Sequence, residues 1–261
     1  MAAELRRLPL ERADNVRDLG GHSAAGGLVT RWRTFLRADQ LGRLSDADKR
    51  ALLALGLTTV LDLRSPTEAL RAPEPFTEAD GVACYPLPFA SEAAIDEFMT
   101  SGAEFRELYV LLAEKGRRKI AKAFRLMARC GGLCLFHCHA GKDRTGILAA
   151  LLLLLVGVGR EDVIADYEVS GTYYRRAARG ELRPDDTEEL VEQYTSSHAS
   201  TIRYFIRYID AKYGGAAGYL RAAGLADEDA RAIREKFLAP PRINMTINDP
   251  DALRRQKPYV V

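Results

Sequence analysis

Short apolar runs bounded by turn residues alternate along this chain with longer stretches in which apolar positions recur every three or four residues. Residues 57–63 (Leu-Thr-Thr-Val-Leu-Asp-Leu), 82–87 and 133–137 (Leu-Cys-Leu-Phe-His) are of the first kind and predict strands. Ser45-Asp46-Ala47-Asp48 reads as an N-terminal cap ahead of a helix over 49–55, and Gly56 ends that helix before the first strand. Residues 147–158 form an apolar run of 12 residues, short of the about 20 that span a bilayer, and predict a buried central helix. Strands separated by helices predict an α/β fold: a central sheet flanked by helices in a single domain, 1–261, with a functional loop at the carboxyl end of a central strand.

Three stretches stand apart from that alternation. Residues 115–129 hold seven basic residues and no acid. On a helix, Ile120, Phe124 and Met127 share one face and Arg118, Lys122, Arg125 and Arg129 the other. That pattern reads either as the solvated side of a core-packed helix or as a docking face for anionic membranes or phosphorylated partners. Residues 167–237 are rich in helical patterning, but 172–183, with Tyr173, Tyr174, several arginines and Gly180, break it and suit either a flexible lid over a helical C-terminal region or a surface loop. The tail, 240–261, carries Pro240, Pro241, Pro250 and Pro258 and is expected to be extended.

Composition narrows the function classes. A formal charge of +2, without interleaved aromatic and basic positions, argues against a nucleic-acid partner. Cys84, Cys130, Cys134 and Cys138 lack the spacing of a disulfide framework and point to a reducing compartment. The first 13 residues include Arg6, Arg7 and Arg12 without the apolar core of a secretory signal. The expectation is a cytoplasmic protein without a transmembrane segment; export without a recognisable signal stays open.

The densest chemistry lies in His137-Cys138-His139-Ala140-Gly141-Lys142-Asp143-Arg144-Thr145-Gly146. A strand delivers Cys138 to a tight loop, and the apolar helix follows at once. Backbone N–H groups from His139 to Arg144 can converge on an anion at the positive end of the helix dipole. A thiol in such a field titrates at about 3.5–7.5 rather than near 8.5, which makes Cys138 an expected nucleophile. Arg144 presents a planar fork that fits two phosphoryl oxygens, and Thr145 is placed to hydrogen-bond the sulfur and ease its departure. A nucleotide-binding Walker loop would need glycine and serine or threonine where Phe136 and Asp143 stand. Zinc ligation by the cysteines with His137 and His139 conflicts with adjacent side chains pointing to opposite faces of a strand. No metal or cofactor is therefore expected. A rhodanese-like sulfurtransferase or a catalytically idle binder of phosphorylated ligands remains an alternative.

This string resembles the Cys-x5-Arg signature of the protein tyrosine phosphatase superfamily, in the Gly-Lys-Asp-Arg-Thr-Gly form of bacterial tyrosine and lipid phosphatases. Asn15-Val16-Arg17-Asp18-Leu19-Gly20-Gly21, Leu61-Asp62-Leu63-Arg64-Ser65 with Glu68, Asp166-Tyr167 with Ser170, and Tyr219 to Leu225 are similar to blocks of the same branch, so the resemblance spans about residues 14–240. It implies a phosphomonoester hydrolase working through a cysteinyl-phosphate, with His139, Ala140, Gly141, Lys142 and Gly146 lining the substrate loop. Phosphotyrosine, phosphoserine or phosphothreonine, and phosphoinositides are the open substrates. Many relatives donate a proton from a Trp-Pro-Asp loop, but Trp32 here is followed by Arg33. The resemblance carries the acid to Asp143, with Asp62 as helper and Asp96 as an outside candidate; Asp62 could equally cap its turn or pair with Arg64. Lys142 is expected at the loop rim as a second cation for multiply phosphorylated headgroups, or else as a solvated rim residue or an ion-pair partner of Asp143.

Overall fold

The computed structural model describes residues 6–90, 92–177, 191–192 and 195–241. Four short strands come first: β1 (Arg17–Asp18), β2 (Ser23–Ala24), β3 (Leu28–Thr30) and β4 (Phe35–Ala38). Helix α1 (Asp46–Ala54), β5 (Leu57–Asp62), α2 (Pro66–Arg71) and β6 (Ala83–Pro86) follow. Helices α3 (Glu92–Thr100) and α4 (Phe105–Arg129) precede β7 (Leu133–His137). Then come α5 (Asp143–Leu155), α6 (Arg160–Ala177), α7 (Ala199–Tyr213), α8 (Ala216–Ala222), α9 (Asp227–Phe237) and β8 (Leu238–Ala239).

Serine starts both helices that flank β5. The Ser45 side chain accepts from the Asp48 amide while the Asp48 carboxylate accepts from the Ser45 amide, a reciprocal cap contributing about 1 kcal/mol. Ser65 and Glu68 repeat the device at α2, with Pro66 in the first turn. The second cap has a further consequence: it holds the Glu68 carboxylate beside the functional loop.

The main sheet runs β1-β4-β7-β5-β6, parallel except for β1. Strand β7 lies at its centre, and the register sets Ala38, His137 and Asp62 abreast. The segments leaving β4, β7 and β5 therefore emerge side by side at one edge, where α/β sheets place their ligands. Alternation along β7 sends Cys134 and Phe136 into the core with α4 and α5, and Leu133 and Leu135 into a second cluster with Leu52 of α1. Every residue from Thr145 to Leu153 is buried. An apolar surface on all sides of α5 is satisfied only by packing on all sides, which seats its N-terminus behind the loop. A three-stranded sheet, β2-β3-β8, closes the far end by pairing Thr30 with Leu238.

The expected α/β layering holds, with α1 beginning at Asp46 and the basic stretch forming the second half of α4. Residues 172–177, expected as lid or loop, continue α6 as helix; 178–183 and 242–261 lie outside the described residues. No helix among the described residues is long and apolar enough to cross a membrane.

Candidate active site

Between β7 and α5 the chain turns its carbonyls outward onto fixed donors. The His139 carbonyl accepts from the Gln40 amide at 2.9 Å, Ala140 from Asn15 Nδ2 at 2.9 Å, Gly141 from Arg37 Nη2 at 2.8 Å, and Lys142 from the Gly146 amide at 2.7 Å. In a trans peptide the N–H points opposite the C=O, so the amides of Ala140, Gly141 and Lys142 turn toward the interior of the loop. Gly141 has φ 66°, and a Cβ there would lie 2.6 Å from the Ala38 carbonyl oxygen, so only glycine lets the loop approach β4 this closely.

A buried charge cluster sets that geometry. Asp166 receives Arg17 Nε at 2.9 Å and Arg37 Nη1 at 2.5 Å, and Ser170 Oγ accepts from Nη2 of both arginines. Arg17 also donates to Asn15 Oδ1, which leaves Asn15 Nδ2 for the loop. Burial works against the Asp166 carboxylate, but the two guanidiniums outweigh it and hold its pKa well down. Through the same Asn15 segment, Asp39 accepts from the Asp14 and Asn15 amides, and burial pushes its carboxyl up to about 6. The folded state therefore binds a proton at Asp39 more tightly than the unfolded chain, whose carboxyl titrates near ~3.9. Unfolding free energy is expected to fall as pH rises from about 4 to about 6. Asp39→Asn should flatten that part of the profile in urea titrations; an unchanged slope would assign it elsewhere.

Cys138 lies at the floor, 1% exposed. Thr145, the third residue of α5, is fully buried, and its Oγ1 has no hydrogen-bond partner among the described residues. Glu68 grips Arg144 end-on, with Nη1 at 2.5 Å and Nη2 at 2.7 Å from its two oxygens, and Nη1 also points at the Leu63 carbonyl at 3.4 Å. A guanidinium has five N–H bonds. These contacts leave Nε–H and the second Nη2–H, a parallel side-on fork, uncommitted among the described residues. Burial would raise the Glu68 carboxyl, but Arg144 holds it down at about 2. In return, the Glu68 pair with Cys138 and Asp143 outweighs burial and raises the Arg144 pKa above its ordinary value.

Asp143 opens α5, a quarter exposed, and its Oδ1 accepts from Tyr109 Oη at 2.5 Å. Burial and the adjacent carboxylate push the Tyr109 pKa well up, so the hydroxyl stays protonated and donates, and Tyr167, 2.5 Å away, donates to it in turn. Lys142 is not at the rim as expected: it is 2% exposed, its Nζ 3.7 Å from Asp143 and 5.6 Å from the Phe105 ring centre, because α4 covers it. Asp62 ends β5 with both oxygens held by Arg64, at 2.9 Å from Nε and 2.8 Å from Nη2. With Glu74 and His137 it makes a trio of ligand atoms within 4.8 Å of one another, the one such cluster among the described residues. The Arg64 guanidinium, 3.9 Å from Glu74 and 2.8 Å from Asp62, already supplies positive charge there. Asp96 is exposed on α3, and no hydrogen bond or ion pair joins it to the loop among the described residues.

Sequence reasoning did not assign roles to Arg37, Asn15, Tyr109 or Glu68. Only Asn15 and Glu68 carried a signal, as members of the blocks that resemble other phosphatases.

A buried cysteine at the head of a loop whose amides turn inward, followed by a guanidinium that Glu68 holds end-on, fits a cysteine-dependent phosphatase. The chain belongs to the tyrosine phosphatase family, whose model matches residues 8–239. It is 30% identical to the tyrosine-protein phosphatase of Nostoc commune, over 78% of this chain and 74% of that protein. It is also 27% identical to the triple specificity protein phosphatase PtpB of Mycobacterium tuberculosis, over 90% of this chain and 99% of that one.

Proposed function

We propose that the protein hydrolyses phosphotyrosine with Cys138 as nucleophile and Asp143 as proton donor. The observation that carries this reading is the side-on fork left to Arg144 directly after a loop whose amides face inward. Such a site holds the equatorial oxygens of a phosphoryl group in transfer. Cys138 Sγ forms the S–P bond as the ester P–O bond breaks, and Asp143 gives its proton to the departing phenolic oxygen. Water then attacks phosphorus, its proton passes to Asp143, and S–P cleavage releases the sulfur with its electron pair as a thiolate, with Thr145 Oγ1 bonding the leaving sulfur. In this reading Tyr109 positions Asp143, and Asp62 positions Arg64 rather than donating a proton. A nucleophile this deeply buried favours an aryl phosphate, whose ring spans the depth, over the shorter phosphoserine.

Phosphoinositides, with contact to an anionic membrane, are the second reading. The exposed cations of α4 favour it; the burial of Lys142 counts against the headgroup role expected for that residue. A catalytic thiol has to stay reduced, which supports a reducing, cytoplasmic setting for the proposed activity. Phosphate release from a panel of phosphopeptides and phosphoinositides separates the two readings. For the acid, Asp143→Asn is expected to slow substrates with poor leaving groups about 10²-fold or more while sparing those with good ones. Equal losses across leaving groups, or a larger effect at Asp62 or Asp96, would reassign the proton donor.

A further inference from the structure

Beside the start of α2, whose Glu68 holds Arg144, runs a groove of about 1140 Å³ that the chemistry above does not use. Pro88, Phe89 and Ala90 line it on one side, and Pro66 and Thr67, directly before Glu68, form its near end. The opposite wall is α4, from which Lys115, Arg118 and Lys119 project. With Lys122 they follow the three- and four-residue spacing of a single helical stripe. All four are exposed, and none makes an ion pair or hydrogen bond among the described residues. The neighbouring groups do not cancel their charge. Arg117 is turned onto the Ala222 carbonyl at 2.9 Å and Arg125 onto that of Gly224 at 3.1 Å, while the acid in the wall, Glu114, is engaged by Tyr208, Tyr213 and Lys212.

Uncompensated cations along an apolar trough fit an acidic chain segment. The occupant's form follows from shape: a bilayer docks on a protruding face that inserts several apolar side chains. This face is concave, and Leu70 is the exposed large hydrophobic side chain among the described residues. Its reach follows from helix geometry. Tyr109, on the same helix, bonds Asp143 at the loop. At about 1.5 Å per residue, Lys115 lies about 9 Å and Lys119 about 15 Å further along α4. An extended peptide covers those distances in about three to five residues.

We infer that this groove is a substrate-docking subsite for acidic residues about three to five positions from the phosphotyrosine of a protein substrate. The inference rests on the phosphotyrosine reading and deepens it. Aspartate and glutamate at those positions meet Lys115, Arg118 and Lys119 while the phosphotyrosine occupies the loop.

The test uses the full chain and the triple variant K115E/R118E/K119E. Substrates are p-nitrophenyl phosphate and three phosphotyrosine peptides: one with neutral flanks, and two with glutamates three to five positions before or after the tyrosine. The wild type should show about tenfold higher kcat/KM on one acidic peptide than on the neutral one, mostly through KM, with the margin narrowing at high salt. The variant should lose that margin while keeping its activity on p-nitrophenyl phosphate, which is too small to reach α4. Equal rates on all three peptides in the wild type, or a preference that survives in the variant, would overturn the subsite. Loss of p-nitrophenyl phosphate activity in the variant would mean these side chains support the loop and would also overturn it. Wild-type hydrolysis of p-nitrophenyl phosphate but of no peptide sinks the underlying phosphotyrosine reading instead. Co-sedimentation with phosphatidylserine vesicles that the variant loses, without any peptide preference, would make a membrane the occupant and refute the proposal.

Discussion

Cys138→Ser is expected to lose turnover by about 10⁴-fold or more while the protein keeps its fold and its affinity for oxyanions. The exchange replaces sulfur by oxygen at a position 1% exposed, and a serine oxygen is a far weaker nucleophile toward phosphorus than the sulfur it replaces. Nothing that binds the anion changes. The outward carbonyls of His139, Ala140 and Gly141 are held by Gln40, Asn15 and Arg37, and Arg144 is held by Glu68. Turnover of p-nitrophenyl phosphate measures the loss, and thermal stabilisation by vanadate measures the retained binding. A variant that keeps wild-type turnover, or a wild type inactivated by chelators, would refute the cysteinyl-phosphate mechanism.

Asp166→Asn is expected to destabilise the fold by about 3 kcal/mol, and Asp166→Ala by about 3–5 kcal/mol. The wild-type carboxylate neutralises Arg17 and Arg37, both almost wholly buried, and without it two like charges face one another in the interior. Burial with that repulsion already lowers the Arg17 pKa to about 10 against the pull of Asp166. The same pair sets an acid limit. Because the Asp166 pKa is depressed, its stabilisation is complete above the ordinary carboxyl range near ~3.9 and is lost as pH falls through the folded-state value. Urea unfolding of wild type and variant should differ most at neutral pH and converge in strong acid. A loss below about 1 kcal/mol at pH 7 would show that the arginines are solvated when unpaired. Activity should fall with stability, since Arg37 is the donor that turns Gly141.

Local pattern sufficed for the elements whose own residues decide them. The apolar run of α5 has one way to be satisfied, and Ser45 sits where serine caps a helix. Residues 133–137 read as a strand and are one. Strand β4 escaped notice because it is four residues long with Arg37 in the middle. A charged residue enters a buried strand only when a partner distant in sequence neutralises it, and Asp166 is 129 positions away. The run over 172–177 looked irregular because its arginines and tyrosines lack a clean period, yet α6 carries it as helix.

For the site the division is sharper. The segment from Cys138 to Gly146 pointed by itself to a loop that leads into a helix N-terminus with its amides facing inward, because a short loop capped by a helix leaves its amides one place to point. Which groups hold that loop in shape was decided only by the tertiary structure: Arg37 and Asn15 on its carbonyls, Glu68 on Arg144, Tyr109 on Asp143, and Arg64 on both oxygens of Asp62. These partners come from β4, α2, α4 and the segments beside β1 and β5. Their convergence depends on sheet order and on what α4 covers, and the same rearrangement took Lys142 from an expected rim to the interior. Hydrogen bonds between residues tens of positions apart leave no periodic trace along a chain, so packing alone could reveal them.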